Sequence, residues 1–454
     1  MQRKPGAAPL TQSRIIAFDI LLKCEKSMSY ANLQLDAALE KSKMEERDKR
    51  LTAQLVYGTL EWQIYLDYVI SIFCNREFLT LSPTVKIAIR LGAYQLLKLD
   101  RIPPNAACSQ SVDLVKLRGE KSAETFVNAI LRAISRTEGK INLPDEIKHY
   151  EKHLSVKYSC PMWIVEMWKG QYGASVKRIL EQSVPDPNVT LRVNTLKITT
   201  QELLKHLQIS CEAEMSVISD DMIVLKNAGN IRNVSGFDEG LFFVQDLASR
   251  LCAKTVGAKS DELIYDMCAA PGGKTFSMAI DMQNKGLIKA FDLHENRVKL
   301  IESGAKRLKL SNINANTSDA SKTEQAMVNT ADAVLCDVPC SGMGILGKKP
   351  DIKLKSMEDI EKLPSVQFKI LENSSKYIKS GGRLIYSTCT LNKRENEEVV
   401  QRFMGGEAGK EFKPLKIDIH EDLETIIGAE GSMITILPKA GRNDGFFIAS
   451  MMKK

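Results

Sequence analysis

The residues best able to do covalent chemistry lie in the carboxyl-terminal half of the chain, at the ends of short apolar runs. Two such runs end in DVPCSGMG and YSTC, which puts Asp337 and Cys340 on one turn and Thr388-Cys389 on another. A lone cysteine is usually a small core hydrophobe. Two of them at neighbouring strand ends, with a carboxylate beside one, suggest nucleophilic chemistry, because a thiolate forms readily where the local field is positive. A third run ends in DMCAAPGGKT, where Gly272 and Gly273 allow tight turning and close backbone approach to a ligand. A GxxxxGK[ST] phosphate loop requires glycine where this chain has Cys268, so nucleotide triphosphate hydrolysis is disfavoured. The segment is not GxGxxG either, which leaves a dinucleotide cofactor unsupported. Asp292 closes a further run 20 residues after Gly272. From there a carboxylate can accept hydrogen bonds from ribose hydroxyls. An adenosine-containing ligand without a pyrophosphate fits this pattern better than NAD.

The elements that must position these groups follow from periodicity. From about Gly240 the runs ELIYDMC, GLIKAFDL, INANTSD, ADAVLCDVP and GRLIYSTC alternate with helical stretches such as NRVKLIESGAKRLKL and VQFKILENSSKYIK. Strands alternating with helices argue for a parallel, doubly wound, Rossmann-like sheet. Ligands in such sheets bind beyond the carboxyl ends of the strands. This directs attention to Asp266 through Cys268, Asp292, Asp319, Asp337 through Cys340, and Thr388-Cys389. The last runs, SMITILP and DGFFIASM, are expected to close one edge as an antiparallel pair.

Residues 11–137 carry apolar residues at helical spacing, broken at Ser82-Pro83 and Pro103-Pro104. They predict an all-α bundle of roughly six to eight helices. EGKINLP, residues 138–144, reads as a linker. Residues 145–240 are mixed, with helical sequence around Trp163 and Trp168 and strand-like VTLRVNTLK and MIVLKNAGN. The expected organisation is multidomain: a helical domain over 1–140, a small α/β region over 145–240 and the Rossmann-like α/β domain over 241–454.

At 454 residues, 44% hydrophobic and 26% charged, the chain has the composition of a globular protein of two or three domains. A net charge of +7 leans weakly towards an acidic partner such as nucleic acid. The ten cysteines form no CxxC pair and have no histidines nearby at zinc spacing, so no metal is expected. Reduced thiols in a cytoplasmic protein are the simplest reading. MQRKPGAAPLTQSR lacks the apolar centre of a secretory signal. No run approaches 18 apolar residues, so neither a membrane span nor a membrane partner is expected.

DMCAAPGGKT, DVPCSGMG and STCTLNKRENEEVV together resemble the RNA 5-methylcytosine methyltransferases, of the Sun/Fmu type. PDIK at Pro350 to Lys353, FFVQDLAS at Phe242 to Ser249 and RVNTLK at Arg192 to Lys197 match as well. In the helical region, LVYGTLEW, RLGAYQLL and FVNAILRAI resemble the NusB-type antitermination factor, an RNA-binding domain. The resemblance runs from about residue 11 to residue 451. It implies a Rossmann-like domain that uses S-adenosyl-L-methionine, with Cys268, Ala269, Ala270, Pro271, Gly272, Gly273 and Lys274 as the cofactor loop. Asp292 would bind the ribose, Arg297 would belong to the same site, and Asp319 would lie near the adenine side. Asp337 would stand near the methyl donor and target base. Cys389 would be the nucleophile and Cys340 would help release the product. Gly347, Lys348 and Lys349 stand where the family often has paired arginines, and Pro438-Lys439 where it often has Pro-His. Lysine keeps the charge but not the bidentate fork.

Carbon 5 of cytosine is a poor nucleophile. Adding a thiolate to carbon 6 makes an enamine-like ring able to attack a sulfonium methyl group, which is why such an enzyme needs a cysteine. The expected substrate is small-subunit (16S-type) ribosomal RNA, with transfer RNA or another RNA as the alternative, no DNA, and a monomeric enzyme. A non-enzymatic antitermination module would share the helical domain, but the intact TC and PC motifs argue against it. DNA cytosine methylation, with the PC cysteine as nucleophile, is the third reading. The TC motif and the fused helical domain favour RNA.

Overall fold

The computed structural model describes residues 10–27, 31–185, 188–227 and 229–454. The first nine residues of the stretch read above as lacking a secretory signal, and Ala228 in MIVLKNAGN, lie outside the described residues. The chain divides into two units, 1–180 with 349–355, and 181–348 with 356–454.

The first unit is helical: α1 (Gln12–Ser27), α2 (Ala31–Lys41), α3 (Glu46–Glu61), α4 (Gln63–Phe73), α5 (Pro83–Lys98), α6 (Pro104–Leu117), α7 (Glu124–Ser135), α8 (Tyr150–Lys157), α9 (Met162–Tyr172) and α10 (Val176–Gln182). Both proline breaks start helices. Pro83 opens α5, and Ser82 accepts the Val85 amide as its cap. The spacing that marks α7 buries Val127, Ile130, Leu131 and Ile134 on one face. The buried Arg90 is held by both Asp67 oxygens, at 2.7 and 2.8 Å, and by Glu25 at 2.8 Å. The stretch 138–144 read as a linker lies inside this unit, and α8 and α9 follow in it. Lys353, from the 349–355 segment, is buried in the same unit and donates to Glu61 Oε1 at 2.6 Å.

The second unit opens with a four-stranded antiparallel sheet of order β2-β3-β1-β4: β1 (Val189–Val193), β2 (Glu212–Met215), β3 (Met222–Lys226) and β4 (Phe242–Val244). α11 (Thr200–Gln208), started by a Thr199/Glu202 capping box, packs Leu203 and Leu207 with Leu191, Val193, Ile223 and Phe242. Alternation along β1 sends Arg192 to the opposite face. There it meets Asp221 and Asp281, both also bound by Arg250 of α12 (Leu247–Val256).

The larger sheet has order β11-β12-β13-β9-β8-β5-β6-β7, with β10 paired to β13. Its parallel strands are β5 (Leu263–Asp266), β6 (Leu287–Asp292), β7 (Ile313–Thr317), β8 (Ala331–Asp337) and β9 (Ile378–Thr388). The remainder, β10 (Phe412–Pro414), β11 (Thr425–Ile427), β12 (Met433–Ile436) and β13 (Phe446–Lys453), pair antiparallel. The interleaved helices are α13 (Gly273–Asp281), α14 (Glu295–Leu308), α15 (Met357–Glu361), α16 (Leu363–Ser375) and α17 (Glu397–Gly405). Apolar cores cover both faces, one under α12, α13 and α14 and the other under α16 and α17. The expected pair β12 and β13 is present, but it does not form the edge. β13 joins β9, and β11 continues the sheet beyond β12.

Candidate active site

β5 is flanked by β6 on one side and β8 on the other, so strand order reverses beside it. A crevice forms at such a point beyond the carboxyl ends. The DMCAAPGGKT loop leaves β5 there. Gly272 takes a φ of 110° at the start of α13, and a Cβ there would lie 2.4 Å from the Phe276 ring. Ala269 N donates to Phe291 O at 2.7 Å, which ties the loop to β6. Arg297 spans the same crevice, donating to Ala270 O at 2.8 Å and pairing with Asp292 at 3.1 Å. Asp292 is buried at the end of β6. Asp319 stands two residues past β7, and its carboxyl is held below the usual range by the Ser321 hydroxyl and amide. Burial pushes the Cys268 thiol well up. Burial also raises the Asp266 carboxyl to about 7, against the hydrogen bond from Thr275 at 2.7 Å.

The loops after β8 and β9 meet. Cys340 Sγ lies 3.2 Å from Cys389 Sγ, neither cysteine is in a disulfide, and both are partly accessible. The hydrogen bond to Cys389, burial, and the carboxylates of Glu395 and Asp337 hold the Cys340 thiol well above its ordinary range. Gly344 N donates to Cys389 O at 2.9 Å, and Gly445 N donates to Gly344 O at 2.9 Å. This close approach requires glycine, since a Cβ at Gly344 would lie 2.0 Å from Gly445 O.

Between the two loops sits a charged pair. Lys274 Nζ donates to Asp337 Oδ2 at 2.7 Å, and Ser387 Oγ donates to Asp337 Oδ1 at 2.8 Å. Burial opposes the lysine charge, but Asp337 outweighs it and the Lys274 pKa is raised. The Phe446 ring faces the ammonium at 4.9 Å. The structure thus gathers Asp337, Cys340, Cys389 and Lys274 in one cluster. Asp292, Arg297 and the Cys268 to Gly273 loop line the adjoining crevice, with Asp319 beyond β7.

Sequence reasoning missed two features. Glu395 and Asn396, quoted above only within STCTLNKRENEEVV, are fully buried beneath the cysteine loops. Lys348, read as a replacement for a family arginine, is held by Asp246 and Asp444, each at 2.8 Å. The available signal was their position six to eight residues past the cysteine of each motif. Among the described residues no group of three or more His, Cys, Asp or Glu side chains is placed to hold a metal ion. No described helix is long and apolar enough to cross a membrane.

Comparison with known proteins agrees with this architecture. Residues 253–452 match the model of the 16S rRNA methyltransferase RsmB/F family, residues 11–136 the NusB family, and residues 160–232 the ferredoxin-like domain of RsmF/B-like methyltransferases. The chain is 37% identical over 451 residues to the probable ribosomal RNA small subunit methyltransferase B of Bacillus subtilis, covering 98% of this chain and 99% of that one. It is 33% identical to the corresponding Synechocystis protein, covering 98% and 100%. The crystal structure of PH0851 superposes with a TM-score of 0.81 at 26% identity, covering 98% of this chain and 100% of that one. Related in this way across nearly its whole length, the chain belongs to the ribosomal RNA small subunit methyltransferase B family.

Proposed function

We propose that this protein methylates carbon 5 of a cytosine in small-subunit ribosomal RNA through a covalent cysteine adduct. The observation that carries the reading is the pair of thiols 3.2 Å apart beside the Lys274–Asp337 pair. S-adenosylmethionine is the proposed cofactor, and when bound it supplies an electrophilic methyl group. The residues fit it. Gly272 turns with a φ of 110°, Asp292 offers a carboxylate at the end of β6, and Asp266 Oδ1 is buried with no partner in the protein.

Cys389 is the proposed nucleophile. Its sulfur bonds to carbon 6, the ring electrons move towards carbon 5, and carbon 5 would take the methyl group as its bond to the cofactor sulfonium breaks, leaving a neutral thioether. Asp337 meets the base edge around ring nitrogen 3 through a proton shared between its carboxylate and that nitrogen, which neutralises the charge that develops there, with Lys274 as the neighbouring donor. A base then removes the proton from carbon 5, the carbon–sulfur bond breaks, and Cys389 leaves as thiolate. Cys340, whose sulfur lies 3.2 Å from that of Cys389, is placed to assist this release. The cytosine must be splayed from its stack, at about a few kcal/mol. Residues 1–140 are proposed as an RNA-binding domain whose phosphate contacts offset that cost. The enzyme is proposed to act as a cytoplasmic monomer. Bisulfite sequencing of small-subunit ribosomal RNA from a strain lacking the gene tests the reading. Loss of one methylated cytosine is expected, and an unchanged pattern contradicts it.

A further inference from the structure

Two adjacent buried residues bracket the two thiols. Asn396 holds the segment around Cys389. Its Oδ1 accepts from Thr388 Oγ1 at 2.5 Å, and its Nδ2 donates to Thr390 O at 2.9 Å. Glu395 holds the segment around Cys340. Its Oε2 accepts from Ser341 N and from Gln367 Nε2, each at 2.9 Å. Its Oε1 accepts from Ser341 Oγ at 2.6 Å and Asn392 Nδ2 at 3.0 Å. Gln367 Nε2 also donates to Pro339 O at 3.0 Å, so both chain neighbours of Cys340 are tied to this one carboxylate. Ser341 Oγ lies 2.8 Å from Thr390 Oγ1, which closes the network onto the Cys389 loop.

We infer that Glu395 is a positioning residue that sets Cys340 against Cys389 for release of the methylated base. This rests on the cysteine roles proposed above. A buried carboxylate with four donors is strongly localised, because each charge-assisted bond is short and directional. The PC loop is otherwise an irregular turn, and a misplacement of about 1 Å at such a centre costs about 100-fold in rate. Glu395 touches neither sulfur. Its effect runs through Ser341 and Pro339, on either side of Cys340.

The test compares Glu395→Gln, Ser341→Ala and Cys340→Ala in the full chain, using in vitro transcribed small-subunit ribosomal RNA and S-adenosylmethionine. Glutamine keeps the shape, but the fixed Ser341 amide claims its one oxygen, and its amide group then meets the other donors. Expected for Glu395→Gln is near-normal methyl transfer in a single turnover, about 100-fold slower release, and a protein–RNA adduct on a denaturing gel, as for Cys340→Ala. Ser341→Ala removes only a hydroxyl, folds without strain, and should slow release about tenfold. If Cys340→Ala traps adduct while both other variants release at the wild-type rate, or lose adduct formation and release together, the positioning inference is overturned. If Cys340→Ala itself traps no adduct, the cysteine roles are wrong, and the inference falls with them.

Discussion

Lys274 Nζ lies 2.7 Å from Asp337 Oδ2, so the DMCAAPGGKT loop and the loop carrying Cys340 are joined by a half-buried ion pair. In the proposed mechanism the pair holds Asp337 and the Lys274 ammonium in place at the edge of the reacting base. Fixed charges in a water-poor site stabilise developing charge strongly, since they need no reorganisation. Asp337→Asn keeps the shape and removes the charge. Single-turnover methyl transfer should fall about 100- to 1000-fold, while cofactor affinity changes far less. Unchanged transfer measured by rapid quench would remove Asp337 from the mechanism.

Asp292 is buried at the end of β6, where among the described residues its carboxylate meets Arg297 and the His294 amide. Asp292→Ala should weaken S-adenosylmethionine binding by about 1.5–3 kcal/mol, the range for a hydrogen bond to a charged group. Calorimetry checks this, with RNA affinity as the control. Equal cofactor affinity in a folded variant is the contrary result.

Asp266 makes stability depend on pH. Its carboxyl is raised from 3.8 to about 7 by burial. The folded protein therefore holds a proton at this site that the unfolded chain has lost. Stability from this group is greatest below about pH 4 and falls as pH rises through about 7. Asp266→Asn is neutral at every pH and should flatten the fall between pH 5 and 8. Thermal unfolding across that range tests it. Parallel slopes for the two proteins contradict it.

The strand-end reading worked where chemistry and topology coincide. β5, β6, β8 and β9 are short apolar runs ending in polar residues. The order reversal beside β5 brings the DMCAAPGGKT and DVPCSGMG loops to one crevice, and β9 next to β8 adds the STC loop. What stayed hidden depends on tertiary burial of charge. Glu395 and Asn396 lie in KRENEEVV, and only the folded loops show that they are sealed beneath Cys340 and Cys389. Lys348 carries the charge expected for RNA contact, yet Asp246 and Asp444 come from distant segments to hold it. β2 (EAEM) lacks the apolar content of a strand and β11 (TII) is only three residues long; both are edge strands whose pairing is supplied by β3 and β12.

The account turns on which sulfur attacks. Position alone does not rank two thiols 3.2 Å apart. The family resemblance, through the TC motif at Thr388-Cys389, is what proposes Cys389 as the attacker. The direct measurement is a denaturing gel of each alanine variant incubated with ribosomal RNA and S-adenosylmethionine. Cys389→Ala should neither transfer the methyl group nor form a covalent complex, because no thiolate can add to carbon 6. Cys340→Ala should transfer the methyl group once and accumulate a shifted protein–RNA band. Adduct trapped by Cys389→Ala and absent from Cys340→Ala would reverse the assignment, and adduct in neither variant, with methyl transfer intact in both, would contradict covalent catalysis altogether.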